Sequence, residues 1–169
     1  MKKSEHQVHE FEPVYNSDSK ILILGTFPSV KSREMNFYYG HPQNRFWKVI
    51  AALMNAPVPA SVEEKKHLLL SHGIAVWDVI ASCDIVGSSD SSIKNVVPCD
   101  LNRILEHSQI KAVFANGKTA EKLYNRYSLP QTGMEIQVLP STSPANAAYN
   151  MERLLEQWKE ICRYLGESV

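Results

Sequence analysis

Two residues in the loop YYGHPQN are of types that act on a ligand. Tyr39 offers an aromatic face, against which a flat ligand can pack. Asn44 offers a side-chain amide, which can both donate and accept hydrogen bonds. Because Asn44 also stands where an amphipathic helix begins, it is a good N-cap residue, and the two roles are compatible.

A carboxylate ends one of the most apolar stretches of the chain. Asp78 lies near the end of the run Gly73–Ile80. Burying a carboxylate is costly unless it is paired or hydrogen-bonded. It could accept hydrogen bonds from ring N–H groups of a bound base, or it could satisfy local backbone amides as a structural residue. The residue alone leaves both interpretations open.

Two further segments suit tight turns or phosphate binding. GTFPS (Gly25–Ser29) has glycine where the backbone turns sharply and proline where the turn must be stiff. PSTSPAN (Pro140–Asn146) has three hydroxyl side chains ahead of a helix, where they can bind phosphate or cap the helix. GxGxxG and GxxxxGK[ST] are both missing, so the dinucleotide-binding and P-loop classes lack their fingerprints.

Hydrophobic patterning predicts the elements that position these segments. Continuous apolar runs predict buried strands at 20–25, 73–80, 111–117 and 134–140. Helices are predicted over 44–55, from Ser61 with a capping box to Glu64, over 101–107 capped by Asp100, over 118–127, and for about 20 residues after 146. Strands that alternate with helices predict an α/β fold, a three-layer α/β/α sandwich with a four-stranded parallel sheet. The polar segments should then meet at the carboxyl ends of the strands.

The composition is that of one globular domain over residues 1–169, with residues 1–18 as an N-terminal extension. The 18 basic and 18 acidic residues cancel, which argues against a strongly basic nucleic-acid binder but still allows a local phosphate-binding patch. The three scattered cysteines show no metal-ligand spacing and suit reduced thiols. We find neither a signal peptide nor a membrane-spanning run, and expect a cytoplasmic monomer.

The four segments together resemble the uracil-DNA glycosylase superfamily. Its first motif is a strand that runs into G-x-x-P, here GTFPS, and its second is a Pro-Ser loop before the last helix, here LPSTSPAN. FYYGHPQNRFWKVI is similar to F-A-H-P-A-N-R-F-W-K-V-I of the bacterial mismatch-specific uracil glycosylases. GTFPS, the aspartate of WDVI and the PSTSPAN loop are closer to the hypoxanthine-DNA (deoxyinosine) glycosylase branch. The resemblance covers Ile21 to about Leu165.

The resemblance implies a role for each matching residue. Most relatives carry Asp or Asn at the third position of the first motif to position the attacking water, whereas this chain has Phe27. In the hypoxanthine branch the catalytic asparagine lies in the His-Pro-x-Asn segment, which matches Asn44. Tyr39 matches the aromatic residue that stacks on the flipped base, and Asp78 matches the position at which relatives use Asn to read the base edge.

The remaining residues that the resemblance implies for the site lie in the two motif segments, GTFPS and LPSTSPAN. Gly25 and Phe27 would line the base pocket. The residues that would contact DNA are Pro28, Ser29, Ser141, Thr142, Ser143 and Asn146. The roles of His41 and Asn116 stay open.

The implied function is a monofunctional DNA glycosylase for base excision repair. It would flip a deaminated base, hypoxanthine above others, and hydrolyse its N-glycosidic bond. The implied partner is DNA with deaminated bases; no metal, organic cofactor or membrane is implied, and no lysine matches a Schiff-base position. The alternatives are a glycosylase specific for uracil or G:U/T mismatches and a non-catalytic lesion-binding module, which Phe27 favours.

Overall fold

The computed structural model describes residues 3–9 and 11–166. The strands are β1 (Glu5–Val8), β2 (Ile21–Gly25), β3 (Ile74–Asp78), β4 (Ile80–Ile85), β5 (Lys94–Pro98), β6 (Ala112–Asn116) and β7 (Ile136–Leu139). The helices are α1 (Val30–Met35), α2 (Phe46–Leu53), α3 (Val62–Ser71), α4 (Asn102–Leu105), α5 (Lys118–Leu123), α6 (Leu129–Thr132), α7 (Met151–Trp158) and α8 (Cys162–Leu165). Short 3-10 turns lie at Asp90–Ser92 and Lys159–Ile161, and a π-helical turn lies at Tyr124–Ser128.

The centre of the fold is a parallel sheet with the strand order β3-β2-β6-β7. Strand β2 is apolar along its whole length because helices cover both faces of the sheet. Its residues from Ile21 to Leu24 are completely buried. The predicted α/β fold with four parallel strands is confirmed.

Helices pack on the two faces of this sheet in a way that follows from its connections. The chain moves to one side of β2 to form β3 and to the other side to form β6 and β7. Right-handed crossovers therefore put α2 and α3 on one face and α5 on the other. Helix α7 returns to pack against α2, and α5 packs against β6 and β7.

The apolar run 73–80, which was predicted to form a single strand, in fact contributes to two sheets. Strand β3 ends at Asp78, and β4 begins at Ile80 in a separate antiparallel sheet of order β1-β4-β5. Val79 and Ile80 still donate their N–H groups to the carbonyls of Gly25 and Thr26, before the chain pairs with β1 and β5. The polypeptide thus leaves the parallel sheet immediately beside Asp78.

The N-terminal segment packs onto the domain. Strand β1 pairs with β4, the His9 N–H donates to the Ala81 carbonyl at 2.7 Å, and Val14 forms an antiparallel bridge with Val76. The described residues of the predicted extension 1–18 thus contact both β4 and β3. Residues 1, 2 and 10 are outside the described residues, as are 167–169.

The helix boundaries differ from the predicted ones at several places, and α2, predicted over 44–55, is limited to Phe46–Leu53. The last helix begins at Met151, capped by Asn150, because a turn with a Tyr149 N–H to Asn146 carbonyl bond extends the PSTSPAN loop. Helix α4 is shorter than predicted, and Asp100 makes no side-chain cap there. Beyond Leu123 the predicted helix continues as the π-helical turn.

The capping box of α3 is confirmed. The Ser61 hydroxyl accepts the N–H of Glu64 at 3.1 Å and donates to the Glu64 carboxylate at 3.0 Å. Over residues 3–9 and 11–166, the helices are too short or too polar to cross a membrane.

Candidate active site

A cavity of about 250 Å³ opens at the carboxyl ends of the parallel strands. Nearly every residue that the sequence nominated lines it, as expected for strand ends that meet at one edge of a sheet. These residues are Gly25, Phe27, Pro28, Ser29, Tyr39, Asn44, Asp78, Ser141, Thr142 and Ser143, together with His41 and Asn116. Asn146 instead lines a neighbouring surface cavity that also touches Ser141 and Ser143.

Asp78, at the floor of the cavity, is paired with a histidine from the N-terminal segment. Its Oδ2 atom lies 2.8 Å from Nε2 of His9, and the two side chains are 5% and 3% exposed. The buried Nδ1 of His9 has no hydrogen-bond partner in the described part of the chain. Because a carboxylate oxygen can only accept a hydrogen bond, Nε2 of His9 is the donor in this contact.

Gly25 allows Asp78 and Tyr39 to approach the end of β2. The two strands pair with Gly25 opposite Asp78. A Cβ atom at Gly25 would lie 2.5 Å from Oδ1 of Asp78 and 3.1 Å from the Tyr39 hydroxyl. The absence of a side chain here therefore keeps the cavity open to the carboxylate.

Tyr39 forms an aromatic wall that is held in an uncommon backbone conformation. Its φ is 52°, and its ring stacks on Phe46 with centroids 4.1 Å apart. The next residue, Gly40, is anchored by an N–H bond to the buried Ser32 hydroxyl at 2.9 Å. Burial, and then the charge of Asp78, raise the pKa of Tyr39 well above its ordinary value, so the phenol stays protonated.

The Asn44 side chain is held by two hydrogen bonds to its oxygen. Arg45, not the predicted Asn44, is the N-cap residue of α2, but Oδ1 of Asn44 accepts the backbone N–H of Phe46, the first residue of the helix, at 2.9 Å. The same oxygen accepts the hydroxyl of Thr142 at 2.8 Å. Asn44 thus bonds to the first backbone N–H of α2 and lines the cavity at the same time.

Thr142, which the resemblance implied as a DNA contact, lies in the interior of the protein. It is completely buried, its N–H donates to Oδ1 of Asn116 at 3.0 Å, and its carbonyl accepts the Arg45 N–H at 3.1 Å. Its hydroxyl receives the Asn116 Nδ2–H at 3.0 Å and donates to Asn44. With every polar group engaged inside the protein, Thr142 cannot reach a phosphate.

The PSTSPAN loop is tied to the start of α2 by one guanidinium group. Arg45 donates to the carbonyls of Ser143 at 3.0 Å, Asn146 at 3.2 Å and Tyr149. A planar guanidinium is suited to several carbonyls at fixed angles. Arg45 therefore holds the loop beside Asn44.

The GTFPS motif builds the opposite rim. The Ser29 hydroxyl caps α1 by accepting the Ser32 N–H and donates to the Ser32 hydroxyl, both at 3.1 Å. Pro28 is buried, and Phe27 is partly buried with the Arg33 guanidinium 5.7 Å from its ring centroid. This rim combines the apolar side chains of Phe27 and Pro28 with the hydroxyl residues Thr26 and Ser29.

His41 acts in the structure of its own loop. Its Nδ1 accepts the Gln43 N–H at 3.1 Å, and its carbonyl accepts the Asn44 N–H at 2.9 Å. The ring is exposed at the mouth of the cavity. The loop that precedes Asn44 is thereby closed as a turn.

Sequence reasoning missed several residues of this site, among them His9, Ser32 and Arg45. His9 contacts Asp78 across 69 positions of the chain, and no pattern in its own segment points to that contact. Ser32 lies in the short helix α1 and carries no signal of its own. Arg45 lies inside the segment NRFWKVI, so its position in the matched motif was the one available signal.

Comparisons with known proteins agree with this geometry. The family model of the uracil DNA glycosylase superfamily matches residues 12–165. A protein of Methanosarcina acetivorans named hypoxanthine DNA glycosylase is 32% identical over 156 residues, which cover 91% of this chain and 97% of that protein. A protein of the same name from Methanosarcina barkeri is 29% identical over 138 residues, covering 80% and 86%.

A solved structure has the same fold. The solution NMR structure of a candidate uracil DNA glycosylase from Methanosarcina acetivorans matches with a TM-score of 0.79 and 31% identity. The match covers 93% of this chain and 97% of the NMR structure. From the family match over nearly the whole chain and the shared fold, we conclude that the chain belongs to the uracil DNA glycosylase superfamily.

Proposed function

We propose that the protein is a monofunctional DNA glycosylase that excises hypoxanthine, the base of deoxyinosine, in base excision repair. The observation that carries this proposal is the cavity in which a carboxylate, an amide and an aromatic ring surround one volume. They belong to Asp78, Asn44 and Tyr39. The relatives named hypoxanthine DNA glycosylase support the same substrate.

Asp78 would read the edge of the base. One of its oxygens is occupied by His9, which leaves the other for a ligand. Hypoxanthine presents an N1–H donor to such an acceptor, whereas adenine presents a bare N1 whose lone pair would face the carboxylate. The pairing of a donor with an acceptor thus favours the deaminated base over its parent.

Tyr39 would hold the flipped base by stacking. Phe46 covers one face of the tyrosine ring, so the base would lie against the other. Stacking of a base on an aromatic side chain contributes about 1–3 kcal/mol. That offsets part of the few kcal/mol needed to extrude a base, which is lower for a poorly paired one.

Excision exchanges one bond for another. The bond between sugar C1′ and base N9 breaks, its electron pair leaves with the base, and a water oxygen bonds to C1′. The proton that water releases balances the charge on the base. Phe27 cannot orient water, so the amide of Asn44 is the polar group of this cavity that we assign to catalysis.

The DNA itself would lie across the rim of the cavity. Ser29, Ser141 and Ser143 are partly buried at this rim, and Asn146 lines the adjoining cavity. Hydroxyl, amide and backbone N–H groups are suitable phosphate ligands, and buried Pro28 would support the rim. All these residues come from one chain, so the proposed action on DNA does not need a second copy.

Uracil is a second candidate substrate for a specific reason. Its N3–H would donate to Asp78 just as the N1–H of hypoxanthine would. The two substrates therefore differ in size and in the groups that they offer to Asn44, and both belong in the same assay.

The proposal is tested with duplexes that carry a single hypoxanthine, uracil, xanthine, thymine mismatch or adenine. After incubation with protein, alkali cleaves any abasic site, and the fragments are measured. We expect rapid excision of hypoxanthine, slower excision of uracil and none of adenine. Folded protein that binds hypoxanthine DNA without releasing the base would instead be a lesion-binding module and would overturn the proposal.

A further inference from the structure

The amide group of Asn44 has a defined orientation. The backbone N–H of Phe46 can only donate, so the Asn44 atom 2.9 Å from it must be the oxygen. The amide of Asn116 is oriented by the same logic, because the backbone N–H of Thr142 donates to its Oδ1 at 3.0 Å. Two backbone N–H groups thus fix the orientation of the Asn44 amide and of the Asn116 amide.

The Thr142 hydroxyl lies between these two amides, and their orientation determines which of them receives its proton. Asn116 Nδ2 must donate to Oγ1 of Thr142 at 3.0 Å, since its own oxygen is turned to the backbone. Thr142 then directs its proton to Oδ1 of Asn44 at 2.8 Å. Because Thr142 is completely buried, solvent does not compete for this hydroxyl.

The consequence is that the Asn44 oxygen is occupied while its nitrogen is not. Oδ1 already accepts two hydrogen bonds, and Nδ2 makes none within residues 3–9 and 11–166. The group that Asn44 offers to the cavity is therefore a pair of N–H donors. Donors do not make water a better nucleophile, but they stabilise negative charge that develops on a departing base.

We propose that Asn44 acts on the departing base as a hydrogen-bond donor, and that Thr142 and Asn116 are positioning residues that hold it in this orientation. This rests on the proposed function. When the bond from C1′ to N9 breaks, the electron pair moves to the base, and the Asn44 N–H groups donate to an acceptor atom of that base. Water supplies the new oxygen on C1′ and the balancing proton.

The first test asks whether a donor is required at position 44. Single-turnover excision of hypoxanthine is measured for the wild type and Asn44→Asp, with binding measured on duplex that contains 2′-fluoro-deoxyinosine. A carboxylate accepts but does not donate, so Asn44→Asp should be slower by about 100-fold or more at pH 7.5. Relative to the wild type at each pH, the deficit should shrink by about tenfold per pH unit toward pH 5, because a protonated carboxyl regains a donor.

The second test asks whether Thr142 and Asn116 act through orientation. Thr142→Val should slow excision by about tenfold or more while binding to the fluorinated duplex changes little, and Thr142→Ser should restore most of the rate. Asn116→Asp should also slow excision, because its carboxylate would draw the Thr142 proton away from Asn44. Thr119→Val, on α5 and outside the cavity lining, is the matched control and should keep the wild-type rate.

The donor role of Asn44, the positioning role of Thr142 and the proposed function can each be overturned by a specific result. Asn44→Asp with wild-type activity at pH 7.5 would mean that position 44 needs an acceptor and would overturn the donor role. Thr142→Val with an unchanged rate, or Thr142→Ser as slow as Thr142→Val, would overturn the positioning role. Wild-type protein that excises no base would overturn the proposed function itself and this inference with it.

Discussion

Nε2 of His9 lies 2.8 Å from Oδ2 of Asp78, and the two side chains are almost completely buried. The contact joins the N-terminal segment to the end of β3. A buried carboxylate that loses its partner retains its desolvation penalty without compensation. His9 therefore stabilises the fold and leaves one Asp78 oxygen free for the cavity.

Replacement of His9 should show both effects. We expect His9→Phe to lower the free energy of unfolding by about 1–3 kcal/mol, because the buried carboxylate is left without a donor. Urea unfolding measures the change. His9→Gln, whose amide can still donate, is the matched control and should lose less. Equal stability of His9→Phe and wild type would contradict a paired, buried carboxylate.

Replacement of Asp78 should change which base is excised. Asp78→Asn can turn its amide to face adenine N1 with a donor, so the preference for hypoxanthine over adenine should fall by about tenfold or more. The measurement is the ratio of single-turnover rates on the two duplexes. A ratio equal to that of the wild type would show that Asp78 does not read the base edge.

Addition of one methyl group at Gly25 should block the cavity. The new Cβ would meet Oδ1 of Asp78 at 2.5 Å and the Tyr39 hydroxyl at 3.1 Å. We expect Gly25→Ala to reduce hypoxanthine excision by about tenfold or more, since displaced site residues lose their alignment. Gly133→Ala is the control: its Cβ would meet nothing within 4 Å, and its φ of 69° adds backbone strain away from the site. That variant should lose stability but not rate.

Replacement of Arg45 should loosen the PSTSPAN loop. Arg45→Lys cannot reach the carbonyls of Ser143, Asn146 and Tyr149 together, so the loop should open more often. We expect faster hydrogen exchange at 141–149 and DNA binding weaker by about tenfold. Lys48→Arg, an exposed position on the same helix, is a control for the change of cation. Unchanged exchange in Arg45→Lys would contradict the anchoring role.

The parallel sheet could be predicted from sequence because its strands are buried on both faces and read as unbroken apolar runs. The antiparallel sheet could not. Strands β1 and β5 are mostly exposed, so EHQV and KNVVP carry neither an apolar run nor a clear alternation. The division of 73–80 at Val79 also could not be predicted, because both halves are buried and nothing in the apolar run marks where one sheet ends and the other begins.

Site residues could be predicted where they follow the end of a strand. They could not be predicted where they depend on contacts between distant parts of the chain. Asp78 and Asn116 are the last residues of buried strands. Asn44 ends the YYGHPQN loop, which follows β2 and α1 in the chain. Hydroxyl residues such as Thr142 look the same in sequence whether they face a phosphate or the protein interior. Only its burial and its bonds to Asn44 and Asn116 distinguish the two.

The most direct measurement compares wild type and Asn44→Ala in single-turnover excision of hypoxanthine from duplex DNA, with folding checked by urea unfolding. Removal of one donor that stabilises developing charge slows catalysis by about 10²–10³-fold. We therefore expect rapid excision by the wild type and a deficit of that size in Asn44→Ala, with binding to the 2′-fluoro-deoxyinosine duplex largely kept. Excision by Asn44→Ala at the wild-type rate would contradict the assignment of catalysis to Asn44.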